Sequence, residues 1–171
     1  MITLVLGGAR SGKSEVGEAL AARHAPPFTY VATMDAAGDP ELEERVAAHR
    51  ARRDARWTTV DAPDDLGGLL RTLEGTVLVD SLGPWVARDR SVSVVLDRRI
   101  ADLGAALQAR AGDTVVVSDE VGLSVHPSKA VGRRFRDELG LANRFISALA
   151  DTAYLVVAGR AIELPPAGPP P

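Results

Sequence analysis

The stretch LVLGGARSGKSEVGEAL, residues 4–20, constrains the fold of this chain more than any other. An apolar run, Ile2 to Leu6, ends at two glycines, and a helix-like segment opens at Gly12-Lys13-Ser14. Gly7-Gly8-Ala9-Arg10-Ser11-Gly12-Lys13-Ser14 satisfies the spacing G-x4-G-K-[ST]. By average residue usage, a chance match in a chain this size occurs on the order of one time in a hundred. The spacing has a physical basis. Glycines let backbone N–H groups converge on a β-phosphate, and the following helix presents its positive end. Lys13 then bridges the β- and γ-phosphates, and the Ser14 hydroxyl ligates Mg2+. Only Lys13 and Lys129 are lysines in a chain with 20 Lys and Arg, so a lysine inside this loop is not background.

The rest of the chain has the periodicity of a sheet flanked by helices. The spacing predicts strands at 2–6, 28–32 (FTYVA), 57–60, 76–82 (TVLVDSL), 114–120 (TVVVSDE) and 153–159 (AYLVVAG). Helices are predicted over 14–24, over 40–53, along the stripe Leu96, Ile100, Leu103, Leu107, and over about 130–150. In the 40–53 segment Pro40 suits a first turn, acids come early and arginines late, as the helix dipole favours. Strands alternating with helices imply an α/β fold, a mostly parallel central sheet flanked by helices, built on a P-loop. No repeat or linker interrupts it, so residues 1–164 are expected to form one nucleotide-binding domain. The Pro-rich tail, 165–171, is expected to lack packed structure.

Composition narrows the function classes. A net charge of −3 gives no electrostatic case for a nucleic-acid partner. The absence of cysteine excludes disulfides, thiolate metal sites and cysteine nucleophiles. No apolar run nears the length of a membrane span and no leader is evident, so a cytoplasmic protein is expected.

A P-loop usually works with a carboxylate at the end of a nearby strand. Two positions qualify, Asp80 and Asp119-Glu120, and Asp80 is preferred for the metal, directly or through water, because its strand ends directly in the acid. Asp119 and Glu120 are left without an assigned role. Of the three histidines, His24 at a helix end reads as structural and His126, before Pro127, sits in extended loop with no role assigned. His49 shares an apolar helix face with Leu42 and Val46, and from the residues alone it reads better as a core histidine. Arginines at 50, 52, 53 and 56 surround it, either as a solvated face or as a triphosphate-binding patch.

The segments GGARSGKSEVGEAL, YVATM, ERVAAHRARRDARWTTVDAP, LVDSLGPWV and VVVSDEVGLSVHP…GRRFRDELGLANRFISALAD…YLVVAG together resemble the bifunctional adenosylcobinamide kinase / adenosylcobinamide-phosphate guanylyltransferases of cobalamin biosynthesis, collinearly over about residues 2–164. The resemblance implies a transferase that phosphorylates adenosylcobinamide with ATP or GTP. It then passes GMP from GTP, through a histidine-GMP intermediate, to adenosylcobinamide phosphate, giving adenosylcobinamide-GDP. It places that histidine at His49, reversing the reading from the residues alone. It implies nucleotide contacts from Gly7 through Ser14, from Ala32, Thr33 and Met34, from Arg50, Ala51, Arg52 and Arg53, and from Asp61 and Asp80. The resemblance further implies that Lys13 is catalytic with His49, that Mg2+ is held by Ser14 and Asp80, directly or through water, that the fold is like that of the recombinase-like ATPases, and that the assembly is a homotrimer. The sequence departs from the family where Asp61 replaces a usual glutamate, in SDEVGLS with His126 and Ser128-Lys129, and in SLGPWVARDRS. Two alternatives remain at this level: a small-molecule kinase in which His49 is core, and a nucleotide-dependent binding module.

Overall fold

The computed structural model describes residues 1–34, 44, 55–88 and 93–166, with the backbone alone at 93–97. Among these, the chain runs β1 (Ile2–Gly7), α1 (Lys13–Ala21), β2 (Phe28–Ala32), β3 (Trp57–Asp61), α2 (Leu66–Thr72), β4 (Thr76–Asp80), α3 (Leu82–Ala87), α4 (Ser93–Ala109), β5 (Thr114–Asp119), α5 (Ala130–Leu149), β6 (Thr152–Val157) and β7 (Arg160–Glu163). The strands form one sheet in the order β3-β2-β4-β5-β1-β6-β7. Every neighbouring pair is parallel except β6–β7, which is antiparallel. The expected mostly parallel α/β sheet is therefore the observed one.

The near-continuous apolar runs in the strands follow from burial on both faces. Leu4, Val31, Val77, Val79 and Val116 point to one face, where they pack with Leu66, Leu70, Leu82, Trp85, Leu103, Leu107, Leu139 and Ile146 of α2 to α5. Val5, Tyr30, Leu78, Val115, Val117 and Val156 point to the other, against Ala21, Val16 and Leu20 of α1. Helix α1 lies very close to the sheet at Gly17, where a Cβ would come within 2.7 Å of Val117 Cγ2. That proximity seats the start of α1 directly over the strand ends.

Several boundaries differ from the sequence reading. Helix α1 stops at Ala21, three residues before His24, whose Nδ1 lies 3.1 Å from Asp113 Oδ2. His24 is structural, as expected, but through this contact rather than through the helix dipole. The Asp113 carboxyl is held below its usual range, first by the hydrogen bond from the N-terminal ammonium and then by the charge of His24. The strand read as 153–159 ends at Val157, because Ala158 (φ 50°) and Gly159 (φ 75°) turn the chain back into β7. Helices α2 (LGGLLRT) and α3 (LGPWVA) were not expected, since glycines and a proline disfavour helix on propensity alone. In α2 the Asp65 carboxylate compensates by accepting a hydrogen bond from Gly68 N at 2.8 Å. Of the helix expected over 40–53 only Glu44 is described, as helical; the residues His49 to Arg53 and most of the tail, 167–171, lie outside the described residues.

Arg110, at the end of α4, ties the base of this layer together. Its guanidinium donates to the carbonyls of Leu70 (2.8 Å), Leu73 (2.6 Å) and Gly75 (2.7 Å), and to Thr114 Oγ1 (3.0 Å). Partial burial pushes its pKa down from the usual arginine value. Replacing Arg110 with alanine strips the C-terminal carbonyls of α2 of their donors, and unsatisfied buried groups cost about 1–3 kcal/mol each. With solvent reaching part of the gap, Arg110→Ala is expected to lower the unfolding free energy by about 2–3 kcal/mol in urea denaturation. Arg110→Lys, which cannot span three carbonyls at once, is expected to recover less than half of the loss.

Candidate functional site

The parallel register brings the sequence-predicted residues to one end of the sheet. Gly7 ends β1 opposite Asp119 of β5, and Ala32 ends β2 between Asp61 of β3 and Asp80 of β4. The loop Gly8–Gly12 crosses from β1 to α1 above these ends. Arg10 (φ 56°) and Gly12 (φ 90°) both take left-handed backbone, the alternation that turns successive N–H groups toward one point as an anion nest. Gly12 is the N-cap of α1 and carries no side-chain cap, so the first N–H groups of that helix face the loop without an intramolecular acceptor from it. A cleft of about 540 Å3 opens there, lined by Arg10, Ser11, Gly12, Lys13, Ser14, Glu15 and Gly159.

Two carboxylates meet the loop from below. Ser14 Oγ donates to Asp80 Oδ1 at 3.1 Å, and the Tyr30 hydroxyl donates to Asp80 Oδ2. A serine hydroxyl beside a carboxylate oxygen is a hard-oxygen donor set, which suits Mg2+. No cluster of three or more His, Cys, Asp or Glu able to hold a metal exists among the described residues. Lys13 Nζ lies 2.8 Å from Asp119 Oδ1 and 3.3 Å from Gly8 O, with only 13% of its side chain exposed. The lysine is thus paired, while the preferred acid, Asp80, engages the serine instead.

The residues that hold these groups in place were not legible in sequence. Besides Lys13, two groups hold Asp119: Ser81 Oγ donates to Oδ2 at 3.3 Å and Asn143 Nδ2 donates to its main-chain carbonyl at 3.0 Å, with Asn143 itself anchored by Oδ1 accepting from Ser118 Oγ at 2.6 Å. Glu120 turns away, its Oε1 accepting from Gly122 N at 2.6 Å. Buried Thr33 donates to Ser81 O, and Arg88 clamps the Thr33 carbonyl and, at 2.6 Å, that of Ala62. Tyr30 lies in β2 and Thr33 just beyond its end, a strand the sequence shows, but Ser81, Arg88 and Asn143 come from helices and turns whose approach only the fold reveals. His126 lies apart from these, 2.8 Å from an Arg136 guanidinium nitrogen.

The structure does not bring all predicted contacts into one pocket. Met34 is exposed beyond β2, and exposed Asp61 ends the edge strand β3. Strand β3 stands four strand steps from β1, roughly 19 Å at the usual interstrand spacing. The residues therefore form two groups on one rim, with Ser14, Lys13, Asp80 and Asp119 at the loop and Asp61 at the edge.

The loop geometry yields a prediction. A Cβ at Gly12 would lie 3.3 Å from Gly159 Cα and would force an L-residue into left-handed backbone, at a cost of about 1–2 kcal/mol. Gly12→Ala is expected to lower unfolding free energy by that amount and to weaken ATP binding at least tenfold, measured by urea denaturation and by titration with a fluorescent ATP analogue.

Comparison with known proteins agrees with this geometry. The chain is 37% identical to the bifunctional adenosylcobalamin biosynthesis protein CobP of Pseudomonas aeruginosa, covering 96% of this chain and 97% of that protein. It is 34% identical to the bifunctional adenosylcobalamin biosynthesis protein CobU of Salmonella typhimurium, covering 96% and 99%. Among solved structures, a KaiC-like protein of Pyrococcus horikoshii superposes with a TM-score of 0.50 at 14% identity, covering 90% of this chain and 69% of that one. Another P. horikoshii protein, PH0250, superposes with a TM-score of 0.56 at 9% identity, covering 95% and 84%. These likenesses concern the fold, which is that of the P-loop NTPases. Residues 3–164 match the model of a family of transferases, and the chain belongs to that family, the cobinamide kinases / cobinamide phosphate guanyltransferases.

Proposed function

We propose that the protein carries out both reactions of its family: phosphorylation of adenosylcobinamide by ATP or GTP, and transfer of GMP from GTP to the resulting phosphate through a histidine-GMP intermediate on His49. The observation that carries the reading is the loop itself, with Lys13 and Ser14 poised over Asp119 and Asp80 in a chain that matches the family over residues 3–164.

In the kinase reaction, backbone N–H groups of Gly8 to Gly12 and the start of α1 hold the β-phosphate. Lys13 leaves Asp119 to hold the γ-phosphate, and the Ser14–Asp80 pair supplies a hydroxyl and a carboxylate oxygen for Mg2+. The ion, when bound, neutralises charge on the β- and γ-oxygens. Ala32, Thr33 and Met34, at the end of β2, contact the nucleotide beyond its phosphates. In the transfer reaction a neutral His49 imidazole nitrogen attacks the α-phosphorus of GTP and pyrophosphate departs. The phosphoramidate then yields GMP to the cobinamide phosphate, so one displacement becomes two. Arg50, Arg52 and Arg53 supply positive charge for the departing pyrophosphate, the backbone of Ala51 lies within the same contact segment, and Asp61 completes the guanylyl end of the rim. The reading includes the cytoplasmic location expected of a biosynthetic enzyme; no described helix is long and apolar enough to cross a membrane.

Incubation with α-labelled GTP and Mg2+ is expected to leave an acid-labile label on the wild-type chain and none on His49→Ala. Retained label in His49→Ala would remove His49 as nucleophile, and an unlabelled wild type that still phosphorylates the corrinoid would leave a kinase alone. Lys13→Ala is expected to lose kinase turnover by at least about a hundredfold, through loss of a charge that acts in the transition state, while His49→Ala keeps it. The proposed assembly is a homotrimer, for which light scattering after size exclusion should give three times the 18.0 kDa chain mass. A mass of one or two chains would exclude it.

A further inference from the structure

We infer that Arg10 is a catalytic residue of the kinase reaction, its guanidinium closing on the γ-phosphoryl group as that group passes to the acceptor hydroxyl. The inference rests on the kinase half of the function proposed above. It adds one side chain to the backbone N–H groups and the lysine already placed at the phosphates.

The loop holds Arg10 by its root and leaves its head free. Next to it Ser11 is tied down: its N–H donates to Gly8 O at 3.3 Å, and its carbonyl accepts from Gly159 N at 2.8 Å. The Ser11 side chain is buried and turned back onto the end of β1, with Oγ 2.4 Å from where a Cβ on Gly7 would stand. Arg10, by contrast, is exposed and lines the cleft. Its backbone is left-handed, at φ 56°, a conformation that glycine takes without steric cost and arginine does not. A strained non-glycine residue at the mouth of a phosphate loop points to a role for its side chain.

Other arginines of the chain are committed to fixed partners. Arg88 clamps the carbonyls of Thr33 and Ala62, Arg110 holds those of Leu70, Leu73 and Gly75, and Arg99 Cζ lies 4.1 Å from the centre of the Trp85 ring. Among the described residues no carboxylate, carbonyl or ring engages the Arg10 guanidinium in this way. Two of the described cations line the cleft, Arg10 and Lys13, and they approach it differently. Lys13 is mostly buried against Asp119 and Gly8 O and reaches the phosphates from within the loop. Arg10 stands on the solvent side, from which an acceptor arrives.

The charge of a transferring phosphoryl group is spread over three oxygens, so a cation on the open side adds to Lys13 without duplicating it. A planar fork suits the position, because two of its N–H groups take two oxygens of one phosphoryl group at once. In the step itself the acceptor oxygen forms a bond to the γ-phosphorus. The bond from phosphorus to the β–γ bridging oxygen breaks, and its electron pair leaves on the nucleoside diphosphate. The acceptor's proton passes to water, and Arg10 keeps all of its own. Its contact is strongest when the phosphoryl group lies between donor and acceptor, so it lowers the barrier more than it tightens nucleotide binding.

The test compares Arg10→Gly, which relieves the left-handed backbone while removing the guanidinium, with Arg10→Lys, which keeps the charge but not the fork. Steady-state turnover of adenosylcobinamide with ATP is expected to fall by about a hundredfold or more in Arg10→Gly, the usual worth of one donor aimed at a transition state. Arg10→Lys is expected to recover at most about a tenth of the wild-type rate. ATP binding, measured by titration with a fluorescent ATP analogue, is expected to stay within threefold of the wild type in both variants, and thermal melting checks that both are folded. Turnover of Arg10→Gly within threefold of the wild type would overturn the inference. So would ATP binding weakened in step with turnover, which would make Arg10 a contact of the bound nucleotide alone. Should the wild-type chain fail to phosphorylate the corrinoid, the functional reading falls. Arg10 is then tested on ATP hydrolysis, with water as the acceptor, where the same loss is expected and an unchanged rate overturns the role.

Discussion

The structure depends on the parallel register of β1 to β6. Parallel pairing sends every strand end of one polarity to the same rim, so residues distant in sequence become neighbours without long-range side-chain recognition. Gly7 and Asp119 are register partners 112 residues apart, and Ala32 is flanked by Asp61 and Asp80 in the same way. The apolar runs on both faces make this register hard to shift, because a one-residue slip would exchange the side chains facing α1 with those facing α2 to α5. The chemistry at the rim is thereby fixed by burial elsewhere.

On that rim the charges are arranged for exchange more than for stability. The Lys13–Asp119 pair is partly buried, so desolvation offsets much of its attraction and its net contribution to folding is small. Its worth lies in what it prevents. An ammonium left unpaired at this depth would turn toward solvent, whereas the pair keeps it over Gly8 and aimed into the loop. A nucleotide brings several phosphate charges and the N–H groups of the nest together, which a single carboxylate cannot match. The opposite design is seen at Arg110, whose donors go to three fixed carbonyls and the Thr114 hydroxyl and have no reason to leave.

Sequence carried the first layer of this arrangement and little of the second. The loop spacing and the acid-terminated strands picked out Lys13, Ser14 and Asp80, which the structure brings together, because those signals are local and periodic; the histidine block lies outside the described residues. The choice between Asp80 and Asp119 was legible only in part, since both end apolar strands and differ in what crosses above them. The β5 strand lies directly beside β1, so Asp119 meets the lysine, while β4 is one strand further out and meets Ser14 and Tyr30. Strand order is a tertiary property with no signature in the local pattern. Helices α2 and α3 were missed for a related reason: an Asp65 cap and the burial of Trp85 and Leu82 override poor propensity.

Strand order also bears on how one domain can run two displacements. The loop on β1 and the carboxylate on β3 stand at opposite sides of the β2-β4-β5 segment, roughly 19 Å apart at the usual interstrand spacing. In the function proposed above, a γ-phosphate held by Lys13 and a guanylyl group near Asp61 would therefore lie at opposite ends of this rim. Between them lie Thr33, Ser81 and Arg88, whose hydrogen bonds join the ends of β2 and β4 to the turn after β3. On the proposed function the loop is the end of the rim that holds the nucleotide's phosphates, and the acceptor of each transfer would lie further along it.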